Sequence, residues 1–331
     1  MRIAVVSTIN LPTPPVGYGG IERLVHTFVE ELIRQGHEVT LFAREGSYCS
    51  GRTIGAPAVG QSSGGRVLLN EEGLHKALGE YVEAERPDVV HDWSLTNLFV
   101  NSKPNAVPFV VSTCVPQAPT YAQRNVVAAS AAHAATLKGG RVPFVRFGVD
   151  VDRMQFSPSG GRRLAHVAKI ARYKAQHLSM IAATLARVPL DIVGNVEGRR
   201  YAKYIVQPLG AVLPWVRLTG ESMDVDKTLR EALALVLTPR WFETFPLVSL
   251  QSLAAGTPVV TLGTGGLPEQ IEQGVNGFVA QGIGELIGYL GRVHEISRQT
   301  CRDIAMERFH VRRMAQEYTQ VYQRVRDGET W

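Results

Sequence analysis

Short apolar runs alternate along this chain with stretches in which apolar positions recur every three or four residues. Residues 3–7 form a run of the kind that makes a strand buried on both faces. A proline-rich loop follows, closing in Gly17-Tyr18-Gly19-Gly20. Then Ile21, Leu24, Val25, Phe28, Val29, Leu32 and Ile33 mark one face of a helix. Gly36-His37 ends it, and residues 38–42 predict a second strand. This β–loop–α–β opening places the chain in the α/β class. Residues 43–66, rich in Gly and Ser, predict loop with at most one edge strand. A helix near 71–85, strands at 87–91 and 108–112, the segment 125–129, an Ala-rich helix to Leu137 and the segment 142–147 complete the first half. In the second half 163–170, 190–194, 215–220, 233–237, 258–262 and 277–280 predict strands alternating with helices. Residues 308–326 predict a terminal helix with Met314, Tyr318, Val321, Tyr322 and Val325 on one face.

Composition narrows the class. The 331 residues suffice for two domains, and 45% hydrophobic with 20% charged residues excludes a disordered or membrane-embedded chain. The net charge of +5 suits an anionic cosubstrate or a phosphate-bearing surface. Its basic pairs (Arg162-Arg163, Arg199-Arg200, Arg312-Arg313) are short and lack interleaved aromatics, which disfavours nucleic acid. Cys49, Cys114 and Cys301 are odd in number and without CxxC spacing, so neither a disulfide framework nor a zinc site is expected. With no leader pattern after Met1-Arg2 and no apolar run approaching ~18 residues, a cytoplasmic protein is expected, compatible with peripheral contact at the inner membrane face. Residues 157–161, Ser-Pro-Ser-Gly-Gly, are the best hinge by composition.

Chemistry concentrates in 240–260. Pro246 suits a first helical position, and Gly256 followed by Pro258 is a stop. Such a helix start offers unpaired N–H groups and a positive dipole end to an anion. Glu243 precedes it, and Gln251 lies about two turns in. The turn Lys169-Ile-Ala-Arg172-Tyr-Lys174 carries three cations, and Gly265-Gly266 opens another backbone-donor loop. His91-Asp92-Trp93 ends a strand, where ligand-facing residues sit in open α/β sheets; a satisfied strand-end histidine is the equal alternative. The loop around Gly19-Gly20 lacks GxGxxG spacing, which disfavours a nicotinamide-dependent dehydrogenase. Asp150/Asp152 and Asp224/Asp226 are read as a linker and a helix start, not as metal ligands.

These segments resemble the retaining glycosyltransferases of the GT-B fold (family 4, the glycosyl transferases group 1 type), above all small members serving natural-product or cell-surface glycosylation. The resemblance runs from Ile3 to about Tyr322. It implies two Rossmann-like domains with parallel sheets facing a central cleft: 1–156 for the acceptor, 157–307 for a nucleotide-sugar, and a helix 308–331 packing back on the first domain. It implies transfer of a sugar from a nucleotide-diphosphate-sugar to a hydroxyl acceptor with retention, metal-independent and without further cofactor. Glu243 would face the sugar, while Lys169 and Lys174 would hold the diphosphate, these three being the catalytic set. Gly19, Gly20, Arg172, Thr244, Phe245, Leu247, Val248 and Gln251 would complete the donor site, and Tyr18, His91, Asp92 and Cys114 the acceptor side. The acceptor is expected to be a small molecule or a lipid- or glycan-linked hydroxyl. The chain departs from the family pattern at Gln251 for Glu, Pro246 for Gly, Lys169 for Arg, and Cys114 where a His is common. A non-catalytic nucleotide- or sugar-binding protein is the alternative.

Overall fold

The structure is a computed structural model describing residues 1–63, 66–116 and 124–331. The chain divides into two compact units, Met1–Gly148 with Val311–Trp331, and Val149–His310.

In the first unit β1 (Arg2–Val6), α1 (Gly20–Arg34), β2 (Glu38–Arg44) and β3 (Arg52–Ala56) are followed by a hairpin, β4 (Val59–Ser63) and β5 (Arg66–Asn70). Then come α2 (Glu72–Glu85), β6 (Val89–Asp92), α3 (Leu98–Ser102), β7 (Phe109–Ser112), β8 (Val126–Val127) and α4 (Ala131–Thr136). Six strands pair in the order β3-β2-β1-β6-β7-β8, all parallel. The region expected as loop thus holds an edge strand and a separate antiparallel hairpin. Residues 142–147 make only the Ala128–Phe144 bridge, not a strand.

The second unit repeats the plan. It contains β9 (Leu164–Val167), α5 (Gln176–Ala186), β10 (Leu190–Val193), α6 (Arg199–Tyr201), a π-helical turn Ala202–Val206, α7 (Gln207–Val212), β11 (Val216–Gly220) and α8 (Val225–Glu231). After these come β12 (Leu235–Leu237), α9 (Leu247–Ala254), β13 (Val259–Leu262), β14 (Gly277–Ala280), α10 (Ile283–Leu290) and α11 (Arg298–Arg308). Its sheet order is β11-β10-β9-β12-β13-β14, again all parallel. Each sheet therefore reverses its winding beside its first strand, the switch point where α/β proteins bind ligands at the carboxyl ends.

The terminal helix starts later than expected, at Val311, after a break at Phe309–His310. Its apolar stripe is buried in the first unit: Met314, Tyr318 and Tyr322 are 0% exposed. The Tyr318 hydroxyl lies 2.6 Å from Ser112 Oγ, and that of Tyr322 lies 2.6 Å from His91 Nδ1. The first unit closes at Gly148, earlier than the boundary expected at 156, because the next residues are tied to the second unit. Val149 N donates to Phe309 O (2.9 Å), and Arg302 donates to Met154 O (2.9 Å). The expected hinge lies inside the second unit as well. Arg298 donates to the carbonyls of Ser157 (2.8 Å) and Ala232 (2.9 Å) and to Thr257 Oγ1 (2.7 Å), fixing a segment whose composition suggests freedom.

Both units bury imidazoles. Burial holds His91 well below the usual histidine range. Burial, opposed by a hydrogen bond to the Val115 backbone, lowers His133 to about 4. Burial, aided by Lys174, lowers His166 to about 3. These rings stay neutral when folded, whereas unfolded histidines protonate below about 6.5. The unfolded state then binds more protons, so stability falls as pH drops from about 6.5 toward 4, by up to ~1.4 kcal/mol per pH unit for each ring. Unfolding midpoints should fall between about pH 7.5 and 5, and fall less steeply in His166→Asn; a flat profile in the parent chain would contradict this.

Candidate active site

In the second unit the switch point lies between β9 and β12, which pair directly. Lys169 and Lys174 follow β9 and Glu243 follows β12, so the topology brings distant residues together. Lys174 Nζ donates to Glu243 Oε1 at 2.5 Å, and Trp241 Nε1 donates to the same oxygen at 2.8 Å. The ammonium also sits 5.7 Å and 5.6 Å from the ring centroids of Tyr173 and Trp241, within cation–π range. Glu243 is 8% exposed, yet its charge is met by a cation and an indole N–H.

The backbone around this carboxylate is equally constrained. Ala175, in a left-handed conformation (φ 51°), turns the chain from Lys174 into α5, and its carbonyl accepts from Thr238 Oγ1 at the end of β12 (3.0 Å). Gly266 N donates to Glu243 O (2.7 Å). At Gly265, with φ +58°, a Cβ would stand 2.0 Å from that carbonyl oxygen. The Gly265-Gly266 loop is thus a main-chain brace for Glu243, a role only glycine can fill there.

Lys169 belongs to a neighbouring pair. Its Nζ donates to Glu197 Oε1 (3.3 Å), while the Tyr173 hydroxyl donates to Oε2 (2.5 Å). Burial raises the Glu197 pKa, but Tyr173 and Lys169 outweigh it and hold the carboxyl below its usual value. The two lysines expected on one diphosphate are therefore held by separate carboxylates. Pro246 caps α9 from the extended region (φ −65°, ψ 128°) and is not its first residue; the helix starts at Leu247. Leu247, Val248 and Gln251 are partly exposed on that helix. Phe245, expected to contact the donor, is 2% exposed with its ring edge-on to Phe309, so the ring is core; Thr244 is 7% exposed. Arg172 is exposed on the turn after β9.

In the first unit Gly19 caps α1 at φ +149°, where a Cβ would stand 2.5 Å from Pro15, whereas Gly20 faces open space. Tyr18 is 43% exposed. His91 and Asp92 do not face a ligand: both are 0% exposed. His91 Nε2 lies 2.7 Å from Ser112 Oγ, with Tyr322 on the other nitrogen, so the strand-end ring is structural. Asp92 Oδ1 accepts from Ser94 N (2.8 Å), and burial raises its pKa despite His75 nearby. Cys114 is partly exposed as a residue, but burial of its thiol first, then the Glu22 carboxylate, pushes its pKa up.

Two groupings lay beyond sequence reasoning. Glu22 is 5% exposed and accepts from Thr8 Oγ1 (2.5 Å), and His133 bonds the Val115 backbone beside Cys114. Likewise Asp150 and Asp152, expected as linker, meet His310, with ligand atoms within 4.8 Å of one another. His310 Nε2 lies 3.0 Å from Asp152 Oδ2, and Arg153 lies 3.5 Å from Asp150. Asp224 caps α8 as expected, accepting from Lys227 N (2.8 Å).

Two doubly wound units of this kind, with basic and carboxylate groups at a switch point, define a GT-B architecture. Residues 152–282 match the family "Glycosyl transferases group 1", and residues 18–113 match "Glycosyltransferase Family 4". These matches and the fold support a GT-B glycosyltransferase, an enzyme of the glycosyltransferase class. It is 23% identical to spore coat protein SA of Bacillus subtilis (strain 168), over 98% of this chain and 100% of that protein. Its fold matches AviGT4, a glycosyltransferase involved in avilamycin A biosynthesis, with TM-score 0.82 and 21% identity over 100% and 99% of the chains. It also matches Anabaena HepE, solved in complex with UDP-glucose, with TM-score 0.72 and 18% identity over 98% and 99%. Among the described residues no helix is long and apolar enough to cross a membrane.

The Gly265 brace is testable. Gly265→Ala should destabilise the protein by about 2–4 kcal/mol, combining left-handed strain with a clash against Glu243 O. Gly220→Ala, also at positive φ (+77°) but with open space around it, should cost only the ~1–2 kcal/mol of strain. Equal losses for the two, measured by denaturant unfolding, would show that the brace contributes nothing.

Proposed function

We propose that this enzyme transfers a sugar from a nucleoside-diphosphate sugar to a hydroxyl acceptor with retention and without a metal. The observation that carries the reading is the Lys174–Glu243 contact at the switch point, with α9 starting beside it. As the bond from sugar carbon to diphosphate oxygen breaks, negative charge grows on the leaving group. Lys169 and Lys174 supply fixed cations there, and the first N–H groups of α9 add the positive end of a helix dipole. The HepE complex with UDP-glucose supports a donor of this type on this fold. On this reading Glu243, braced at its main chain and bonded by Trp241, is the residue that faces the sugar of such a donor.

The ion pair has a consequence for binding. An incoming diphosphate competes with Glu243 for Lys174, because both anions seek one ammonium. Glu243→Gln keeps the shape and the acceptor oxygen but removes that competition. Transfer should fall by roughly 100-fold or more, the usual scale for loss of one electrostatic group. Nucleoside-diphosphate affinity should stay equal or rise. A parallel loss of affinity in calorimetry would move Glu243 to the nucleotide side.

Charge neutralisation by lysines also predicts that transfer persists in excess EDTA. Abolition by chelator with rescue by manganese would contradict the metal-free reading.

A further inference from the structure

The loop that carries Glu243 is supported at three of its residues, and the supports converge on the end of α11. Gly266 N donates to Glu243 O (2.7 Å). Two residues on, the Phe245 ring lies edge-on to Phe309, with centroids 6.1 Å apart and both side chains buried. At Pro246, the last residue before α9, the carbonyl accepts from Gln270 Nε2 (3.3 Å). Gln270 is itself 0% exposed, and its amide oxygen accepts from Ser249 Oγ in the first turn of α9.

Gly266 and Gln270 belong to one short piece of chain, since Gly266 caps the single turn Leu267–Gln270 that ends in Gln270. Arg308, the last residue of α11, fastens that turn from outside. Its Nη2 donates to Glu269 O (3.1 Å), and its Nη1 donates to the Glu272 carboxylate. Phe309 follows directly, and the segment is then pinned from behind. Val149 N donates to Phe309 O (2.9 Å), and His310 Nε2 lies 3.0 Å from Asp152 Oδ2. The planar guanidinium of Arg308 reaches two acceptors at once, which a lysine ammonium on a flexible stem does less well. The Arg308 side chain is 35% exposed, so its truncation removes the anchor without opening the core.

We propose that Arg308 and Gln270 are positioning residues for sugar transfer. Through the turn between them they fix the Glu243 carboxylate and the start of α9 relative to each other. The link to transfer rests on the reading in which Glu243 faces the sugar; neither positioning residue touches the reacting atoms. A reacting group is held to a fraction of an ångström only when its supporting shell is itself locked.

The Trp241 indole N–H reports on Glu243 directly, because it donates to Oε1 (2.8 Å). In heteronuclear NMR, Arg308→Gln should shift the Trp241 indole signal and speed its exchange with water by about tenfold or more, since its acceptor gains freedom. The indole signals of Trp93 and Trp331, both in the first unit, should stay in place. Arg308→Lys should move the Trp241 signal less, and Gln270→Met, close in volume but without the amide, should move it like Arg308→Gln. If Gln270→Met does not fold, the two Arg308 variants decide.

Kinetics test the link to transfer, with UDP-glucose as donor and water as acceptor. Arg308→Gln should lower kcat by about tenfold or more and change KM by less than about twofold, because Lys169 and Lys174 still hold the diphosphate. Added to Glu243→Gln, the same substitution should lower kcat little further, since the group it positions is already gone. A residue serving stability alone would lower kcat equally in both backgrounds. The proposal is overturned by that equal loss, or by an unchanged Trp241 signal and exchange rate in folded Arg308→Gln. Absence of turnover by the parent, or full turnover by Glu243→Gln, would count against the donor reading, while the Trp241 signal still judges the positioning.

Discussion

One ion pair organises the second unit's site. Lys174 comes from the turn after β9 and Glu243 from the loop after β12, and their 2.5 Å contact closes the switch point between them. Side-chain exposures of 22% and 10% place the pair between two regimes. A solvated pair contributes about 0–1 kcal/mol. Loss of one partner from a fully buried pair costs about 3–5 kcal/mol. Here the indole N–H of Trp241 and the Gly265-Gly266 brace meet the remaining demands of the carboxylate. The carboxylate is therefore preorganised at the cost of occupying the lysine that a diphosphate would seek. Donor binding on this account is an exchange of anions at Lys174, not the filling of a vacant cation.

Much of the architecture was legible because its signals are local. The apolar runs, the periodic α1 and the Gly256 stop after α9 each report their own backbone. The stripe on the terminal helix read as buried, since five large apolar or aromatic side chains share a face. What failed depended on partners far along the chain. Residues 157–161 looked free by composition, but Arg298 binds them from a helix on the other side of the unit's sequence. His91 looked ligand-facing by position, yet Ser112 and Tyr322 take both its nitrogens. The split of Lys169 and Lys174 between Glu197 and Glu243 was equally hidden, because no spacing rule tells a lysine which carboxylate it will meet.

The departures from the family pattern now have a physical setting. Pro246 lacks an N–H but stands outside α9, so the helix keeps the N–H groups of its own first turn. Beside Cys114 the chain places the His133 imidazole and the Glu22 carboxylate, two polar groups where the family often uses one histidine.

The most direct measurement is a crystal structure of the enzyme with UDP or GDP bound. The account predicts diphosphate oxygens within about 2.7–3.2 Å of both Lys169 Nζ and Lys174 Nζ, the hydrogen-bonding range, with Glu243 turned from the lysine toward the space of the sugar. A diphosphate bound elsewhere, with the Lys174–Glu243 contact intact, would contradict it.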